Sequence, residues 1–384
     1  MERRFFLKSL GVLGCSAAAH PWLTTLTLAQ GTPAMGDNRL VVVILRGAMD
    51  GLDAVRPVGD PAFAAARPTL SGGPAQDLDG FFALHDSLSG LMPLWQAGEL
   101  GVVHATSTPY RDKRSHFDGQ DLLEAGTGMD VPPGTARDGW LNRLLQAVPG
   151  ITSETAYAVG REALPILGGQ AQVRNWAPDQ DLVLSPAGRV LLDHVYHDDA
   201  LFADNVGEAF ALTGGDAAVG GGDMIVDFAA ERLRGDTRIA AFSQTGWDTH
   251  RGQARGIKKP LERLQQTILR MKDQLGPEVW GKTVVMAMTE FGRTVQENGN
   301  AGTDHGTGGV MLVAGGAVKG GRVMGRWPGL AEADLYDRRD LMPTSDVRAW
   351  AAHAMRGLYG IDRGVLETAV FPGLDIGEDP GLLL

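Results

Sequence analysis

The sequence predicts an α/β fold in which a mostly parallel central sheet is flanked by helices. Short, continuous apolar segments rich in β-branched residues recur along the chain, as is typical of strands that are buried on both faces of a sheet. An amphipathic segment with helical spacing separates two of them. Because strands that alternate with helices form parallel sheets with right-handed crossovers, we expect a single α/β domain over residues 36–384.

Five apolar segments are the predicted strands of this sheet. They are Leu40–Leu45, Leu100–Ala105, Arg238–Phe242, Thr283–Met288 and Val310–Ala314. Even the longest apolar runs are strand-length, far short of the roughly 20 apolar residues that a helix needs to cross a bilayer. The mature chain is therefore expected to have no transmembrane span.

A long helix is predicted between the third and the fourth strand. Lys258–Leu275 carries apolar residues at helical spacing, and Gly276 with Pro277 forms a stop signal directly after it. The segment of residues 126–236 has a different character, because it combines proline, glycine and short apolar pieces. We expect this segment to form a helical or loop insertion, or a cap, on the α/β domain.

The N-terminal segment has the composition of a twin-arginine signal peptide. Arg3 and Arg4 precede an apolar, alanine-rich stretch, and no acidic residue occurs between Glu2 and Asp37. Paired arginines, an apolar stretch and a small-residue exit are typical of a removable export signal, here residues 1–29. The mature protein is therefore expected to leave the cytoplasm folded and to work in the periplasm or at the cell surface.

Cys15 is the only cysteine of the chain, and it lies inside this segment. Its surroundings resemble a lipoprotein cleavage box, but the apolar run before it is short, so a lipid anchor at Cys15 is the alternative interpretation. The mature chain then contains no thiol. This excludes disulfide bonds, thiolate metal ligands and a cysteine nucleophile.

The charge of the chain limits the classes of partner. The formal net charge is -11, and the sequence pI is about 5.3. Such a chain lacks the cationic field that binding to nucleic acid or to an anionic lipid surface requires. We expect ligands that are small or neutral, or anions that are held by a metal ion.

Acidic residues and histidines follow the predicted strands or precede the last one. They are Asp50, Asp248, His250, Glu290, Asp304 and His305. Open α/β sheets bind ligands at the carboxyl ends of their strands, and carboxylates and neutral imidazoles are ligands of zinc and manganese. Asp248 and His250 would lie on one face of an extended segment. The sequence predicts a site for one or two divalent ions, although each residue taken alone also fits a turn or a cap.

Four motifs occur in order along the chain. They are Arg-Ser-His-Phe-Asp at 114–118, Trp-Asp-Thr-His at 247–250, Thr-Glu-Phe-Gly-Arg-Thr at 289–294 and Gly-Thr-Asp-His-Gly at 302–306. This set resembles the exported domain-of-unknown-function 1501 family over nearly the whole mature chain. That family in turn resembles the alkaline phosphatase and sulfatase superfamily. The resemblance implies an alkaline-phosphatase-like sheet that carries two metals and a hydroxyl nucleophile at the start of a helix.

The resemblance also implies two metal sites, which are distinguished by the order of residues along the chain. The first would contain Asp248, His250 and His305, and the second Asp50, Glu290 and Ser115. By its letters alone, the run Asp304, His305, Gly306 matches the Asp-His-Gly motif of the superfamily, so Asp304 stays a candidate ligand. Phe291 stands where the second site of the superfamily has a histidine.

Ser115 is the candidate nucleophile, because a helix N-terminus supplies free N–H groups and positive potential for an anionic ester. Arg114 would hold the non-reacting oxygens of the ester. Ser115 with Asp118 three residues later also fits an ordinary capping box. Further substrate contacts are expected from Arg111, His116 and Arg293.

Together these features predict an exported, metal-dependent hydrolase of phosphate or sulfate esters that contains zinc or manganese. Its partners would be a small anionic ester or a glycan, and it would act beside other exported proteins. The alternative is a non-catalytic envelope protein that is stabilised by a metal and binds a partner or a glycan. The loss of a histidine at Phe291 favours this alternative.

Overall fold

The computed structural model describes residues 35–111, 113–131, 137–178 and 221–384. The predicted signal at 1–29, with Arg3, Arg4 and Cys15, lies outside the described residues. Within the described ranges, no helix combines the length and the hydrophobicity that a membrane crossing requires.

A nine-stranded sheet forms the centre of the domain. Its strands are β1 (Arg39–Arg46), β5 (Leu100–Ser107), β6 (Ala156–Val159), β7 (Arg174–Trp176), β8 (Ile239–Thr245), β9 (Thr283–Met288), β10 (Gly309–Ala314), β11 (Arg322–Met324) and β12 (Ser345–Asp346). They are arranged in the order β11-β5-β10-β9-β1-β8-β6-β7, with β12 beside β5. A smaller sheet contains β2 (Val55–Arg56), β3 (Ala75–Asp77) and β4 (Ala83–His85). The predicted fold class, a mixed α/β fold with a central sheet flanked by helices, is confirmed.

The direction of β10 is the exception within a mostly parallel sheet. β1 pairs in parallel with both β8 and β9, as the buried apolar strands predicted. β10 runs antiparallel to β5 and to β9. All five predicted strands are present, with bounds that differ by at most three residues at an end.

Helices cover both faces of the sheet. They are α1 (Gly51–Ala54), α2 (Phe63–Ala66), α3 (Met92–Gln96), α4 (His116–Ala125), α5 (Trp140–Ala147), α6 (Gly221–Arg234), α7 (Gln253–Gly256), α8 (Lys258–Trp280), α9 (Val347–Tyr359) and α10 (Arg363–Val365). Along β1, Leu40, Val42 and Ile44 point into one core, which α5 and α9 also line. Val41 and Val43 point into the other, which α6 and α8 line. The period of two along β1 therefore places each side chain in one of two separate cores.

The predicted long helix is confirmed, including its stop signal. Within α8, Gly276 has a φ of 68° and a ψ of 169°, which breaks the helix, and a further short helical stretch follows to Trp280. Glycine adopts this positive φ without the steric penalty that a Cβ would bring. The apolar stripe that predicted the helix is buried against the sheet.

The segment of residues 126–236, predicted to be an insertion or a cap, contributes two strands to the sheet in the part that the structure describes. β6 pairs with β8, and β7 pairs with β6, so this part extends the central sheet. Both strands are very short, and β7 is mostly exposed, which is why no apolar run indicated them. Residues 132–136 and 179–220 lie outside the described residues.

Candidate metal centre

Three parallel strands bring their following loops to one edge of the sheet. β1 lies between β8 and β9, with Arg46 beside Thr245 and Ile44 beside Met288. The loops that follow these strands therefore begin side by side, as the parallel arrangement predicts. The predicted ligands Asp248, His250 and Glu290 all lie directly after these strand ends.

Three imidazole rings converge on one oxygen of Asp248. The Nε2 atoms of His250, His305 and His116 lie 3.1, 3.3 and 3.5 Å from Asp248 Oδ1. Among the described residues, the ligand atoms of His116, Asp248 and His305 lie within 4.8 Å of one another. Asp248 and His250 are about 46% and 39% exposed, so the cluster is open to solvent.

The opposite nitrogen of each ring is held by an oxygen atom. His116 Nδ1 lies 2.8 Å from Glu290 Oε1, and His250 Nδ1 lies 3.2 Å from Asp304 Oδ1. His305 Nδ1 lies 2.7 Å from the backbone carbonyl oxygen of Arg114. Ionised carboxylates and carbonyl oxygens only accept hydrogen bonds, so each Nδ1 is the donor. In the neutral ring, each Nε2 then directs a lone pair at the cluster.

A cation between these lone pairs would satisfy them. His250 Nε2 and His305 Nε2 are only 2.9 Å apart, which is repulsive for two lone pairs. His116 Nε2 is buried and has no hydrogen-bond partner. Donor atoms around a tetrahedral zinc ion with bonds of about 2.1 Å lie about 3.4 Å apart, close to the separations seen here. Histidines whose Nδ1–H groups bind carboxylates or carbonyls are also the usual arrangement at metal sites, so the residues fit a divalent ion.

The electrostatics of the cluster keep its carboxylate charged. Burial opposes ionisation of Asp248, but its hydrogen bond and ion pair with Arg293 hold its pKa below the usual value. Burial lowers the pKa of His305, which favours the neutral ring that a metal requires. The hydrogen bond that His116 donates to Glu290 raises the pKa of His116, and so increases the basicity of that ring.

Glu290 contacts His116 at Nδ1, the ring nitrogen that points away from Asp248. Its side chain is fully buried, and its Oε1 accepts hydrogen bonds from His116, from the Gly47 N–H and from Gln120 Nε2. Burial opposes ionisation of Glu290, but these hydrogen bonds together lower its pKa. The residue predicted to be a metal ligand is therefore in a position to orient His116.

Asp50, another predicted ligand, lies in a buried network. Its side chain is 1% exposed, and its two oxygens lie 3.0 and 2.9 Å from one guanidinium nitrogen of Arg67, which is 0% exposed. Gln253 Nε2 donates to Asp50 Oδ2 at 2.7 Å, and the Asp53 N–H donates to Asp50 Oδ1 at 3.2 Å. These donors contact both oxygens, so Asp50 is paired with a guanidinium and an amide here, and its role as a metal ligand stays a prediction.

Arg293, a predicted substrate contact, lies in a buried hydrogen-bond network. Its guanidinium is 0% exposed and donates to the backbone carbonyls of Gly47, Ala48 and Thr303 as well as to Asp248. Arg111 folds back in a similar way, because one of its nitrogens donates to the carbonyls of Thr108 and Tyr110.

Ser115 is the N-cap of α4, and its Oγ accepts a hydrogen bond of 3.4 Å from the Asp118 N–H. The capping alternative is thus what the structure shows, and the next residue, His116, turns its ring into the cluster. Arg114 before it adopts a φ of 53°, a left-handed conformation that is uncommon for a residue with a side chain. This conformation occurs where the Arg114 carbonyl meets His305 Nδ1.

Phe291 forms an apolar wall beside the histidines. Its ring is 2% exposed and stacks on His116 with a centroid distance of 5.3 Å and an interplanar angle of 18°. It also packs against His305 and Tyr110. A side chain that fills this space with an apolar ring offers no ligand atom to the cluster.

Arg339 and Asp340 are site residues that the sequence did not indicate. Arg339 donates to the His305 carbonyl at 3.0 Å, and Asp340, which is fully buried, lies 3.0 Å from Arg339 and 3.5 Å from Arg114. The guanidinium groups of Arg114 and Arg339 therefore both lie near the Asp340 carboxylate, and Arg339 also contacts the His305 backbone. Both are about one third exposed. No motif could have indicated Arg339, since it lies in a loop of mixed charges.

The structure thus brings together most of the predicted site residues, although some of them make other contacts than those predicted. Asp248, His250 and His305 meet, and His116, expected to contact substrate, joins them with its Nε2. Asp304 contacts the outer nitrogen of His250.

Comparison with protein families gives one match. The family described as "Protein of unknown function (DUF1501)" matches residues 203–365. This range contains the motifs at 247–250, 289–294 and 302–306, but it begins after the motif at 114–118. No curated protein matches the chain significantly by sequence.

Several solved structures are similar to this chain at low identity. An alkaline phosphatase mutant from the Antarctic bacterium TAB5, with Mg bound, is 12% identical over 74% of this chain and 90% of that chain, with a TM-score of 0.34. Lipoteichoic acid synthase LtaP from Listeria monocytogenes is 9% identical, over 88% and 77%, with a TM-score of 0.39. The soluble domain of lipooligosaccharide phosphoethanolamine transferase A from Neisseria meningitidis is 11% identical, over 74% and 78%, with a TM-score of 0.35.

Proposed function

We propose that this protein is an exported, metal-dependent enzyme that hydrolyses phosphate or sulfate esters. One observation carries the proposal: three imidazole Nε2 atoms converge on Asp248 Oδ1, and each ring is fixed by an oxygen acceptor at its other nitrogen. Such an arrangement is costly for a protein that binds no cation, because it buries the unpartnered nitrogen of His116.

His116, Asp248, His250 and His305 would hold the ion. Three nitrogen donors and one carboxylate favour zinc, and manganese is the second candidate. A divalent ion bound here would polarise an ester oxygen and lower the pKa of a hydroxyl or a water molecule. Because the cluster is partly exposed, a small ester can reach it from solvent.

Arg114 and Arg339 would bind the anionic group of the substrate. Each guanidinium lies near the buried carboxylate of Asp340, which fixes its position beside His305. Arginine presents several donors in a planar arrangement, which suits the oxygens of phosphate and sulfate. The predicted role of Arg114 therefore extends to Arg339.

Ser115 is the proposed nucleophile. Its hydroxyl oxygen accepts the capping hydrogen bond from the Asp118 N–H, so the cap does not use the hydroxyl proton. Because Ser115 directly precedes His116 at the N-terminus of α4, its hydroxyl lies on the segment that enters the cluster. The role of cap and the role of nucleophile are therefore compatible.

The metal site is tested by stripping the purified protein, reloading it with zinc or manganese, and measuring the bound ion by elemental analysis. We expect at least one equivalent in the wild type and its loss in His305→Ala. His353→Ala is the matched control, because His353 is a buried histidine that lies in α9 and contacts the Ile376 carbonyl. Absence of bound metal in the reloaded wild type would overturn the proposal.

Catalysis is tested by turnover of aromatic phosphate and sulfate esters by the metal-loaded protein. Arg339→Gln should raise KM for the ester, whereas Arg338→Gln should not, because the Arg338 side chain is 77% exposed and pairs with Glu332. Equal kinetics of the two variants would remove Arg339 from the substrate site.

A second candidate is a non-catalytic envelope protein that keeps one metal for stability. It is favoured by the positions of Asp50 and Glu290. These two carboxylates, predicted for the second metal site, accept buried hydrogen bonds from protein groups. A metal-loaded protein that binds zinc tightly and shows no turnover of either class of ester would support this candidate.

A further inference from the structure

Gln253 connects the two loops that carry most of the proposed metal ligands. It is the first residue of α7, and its side chain is completely buried. Its Oε1 accepts hydrogen bonds from the hydroxyls of Thr249, at 2.9 Å, and Thr303, at 2.6 Å. Thr249 lies between Asp248 and His250, and Thr303 directly precedes Asp304 and His305. One amide oxygen thus joins both loops.

The other end of the amide is anchored as firmly. Gln253 Nε2 donates to Asp50 at 2.7 Å and to Asp53 at 2.9 Å. Since carboxylates only accept, the amide cannot be reversed without placing its oxygen against two negative charges. Arg67 and Arg56 in turn neutralise these carboxylates. All four hydrogen-bonding positions of the side chain are therefore used, and its orientation is fixed.

Several hydrogen bonds join the two loops. The Thr303 N–H donates to the Thr249 carbonyl at 3.2 Å, and Arg293 contacts both loops by donating to Asp248 and to the Thr303 carbonyl. The N–H groups of Gly252 and Gln253 donate to the carbonyls of Asn300 and Ala301, and Asn298 donates to the His250 carbonyl. The Gln253 amide adds a bond to a side-chain hydroxyl of each loop, next to Asp248 and His250 in one and two residues before His305 in the other. A shift of one loop against the other would change the distance between His250 and His305.

We propose that Gln253 is a positioning residue for the metal centre, which sets the separation of the Asp248–His250 loop from the His305 loop. The inference rests on the proposed function, because it needs a metal site at this position. It also gives Asp50 a role, as the acceptor that orients the Gln253 amide. Gln253 contacts no proposed ligand directly and acts through Thr249 and Thr303.

The test compares Gln253→Met with Gln244→Met. Gln244 is also a buried glutamine with a hydrogen bond to a threonine hydroxyl, but its partner is Thr267 in α8, away from the ligand loops. Both variants lose a buried amide, so both should lose stability. We expect only Gln253→Met to weaken zinc binding, by about 10- to 100-fold, measured by competition with a chromophoric chelator. The absorption spectrum of bound Co²⁺ should change in this variant alone.

Thr303 provides a second pair of variants if Gln253→Met does not fold. Thr303→Val removes the hydroxyl that donates to Gln253 and should weaken zinc binding, whereas Thr303→Ser keeps the hydroxyl and should restore it.

Three results would contradict the argument, two of them the positioning role and one the metal site. If Gln253→Met and Gln244→Met bind zinc equally and as tightly as the wild type, Gln253 is structural only and the positioning role is wrong. If Thr303→Val and Thr303→Ser do not differ, the same conclusion follows. Failure of the reloaded wild type to bind zinc would instead overturn the proposed metal site itself.

Discussion

Lowering the pH from 7 to 5 should destabilise the protein through the buried side chain of His104. His104 lies in β5 and is 2% exposed. Its Nε2 lies 3.0 Å from the Val55 carbonyl, and its Nδ1 accepts a hydrogen bond from the Ala105 N–H. Burial lowers the pKa of His104 from 6.5 to about 4. The folded protein therefore keeps this ring neutral where the unfolded chain takes up a proton.

The size of the effect follows from the two pKa values. Between pH 6.5 and pH 4 the unfolded state binds more protons at this position, so the free energy of unfolding falls as the pH falls. A group with these pKa values costs about 2 kcal/mol at pH 5, and about 3 kcal/mol once the pH is well below 4. This loss is large compared with a typical total stability of about 5–15 kcal/mol.

The assay is urea denaturation of the wild type and of His104→Gln at pH 7, 6 and 5, with a chelator present so that metal release does not contribute. Glutamine cannot titrate, so its stability should fall less with pH. The difference in unfolding free energy between the two proteins should change by about 2 kcal/mol between pH 7 and pH 5. If this difference stays constant, the ring is accessible to protons in the folded state, and the argument from its burial is wrong.

Three substitutions test other parts of the structure. Arg67→Met leaves Asp50 buried without its charge partner and should cost about 3–5 kcal/mol in urea denaturation; a loss below about 1 kcal/mol would show that Asp50 is not charged there. Glu290→Gln removes the carboxylate that fixes His116 and should weaken zinc binding about tenfold or more, measured by chelator competition; unchanged affinity would exclude this role. Phe117→Ser should change stability by no more than about 0.5 kcal/mol in thermal unfolding, because Phe117 is 88% exposed; a larger loss would show that Phe117 is covered.

The strands were predictable where burial alone defines them. β1 and β9 are buried along their length, so their apolar residues follow one another without interruption. β6 and β7 are only four and three residues long, too short for a hydrophobic pattern to appear. The direction of β10 was not predictable either, since an apolar run records burial and not the direction of the neighbouring strand.

The metal cluster was partly predictable because its residues follow strand ends. Asp248, His250 and His305 are chemically suited to an ion, and the sheet topology brings their loops together. What the sequence could not provide is the set of partners that decides each role. Asp50 meets Arg67 and Gln253, and Glu290 meets Gln120, only through long-range contacts. The sequence around a carboxylate does not show whether a metal ion or an arginine side chain will neutralise its charge.

The long sequence separation of the histidines from their partners would decide when the proposed metal ion is captured. His116 and Glu290 are 174 residues apart, and Arg114 and His305 are 191 apart. A growing or unfolded chain therefore lacks this cluster, and under the proposed function the ion would be chosen by the compartment in which the whole sheet forms. If the paired arginines at the N-terminus send out a folded protein, the metal supply of the cytoplasm, and not that of the destination, selects the ion.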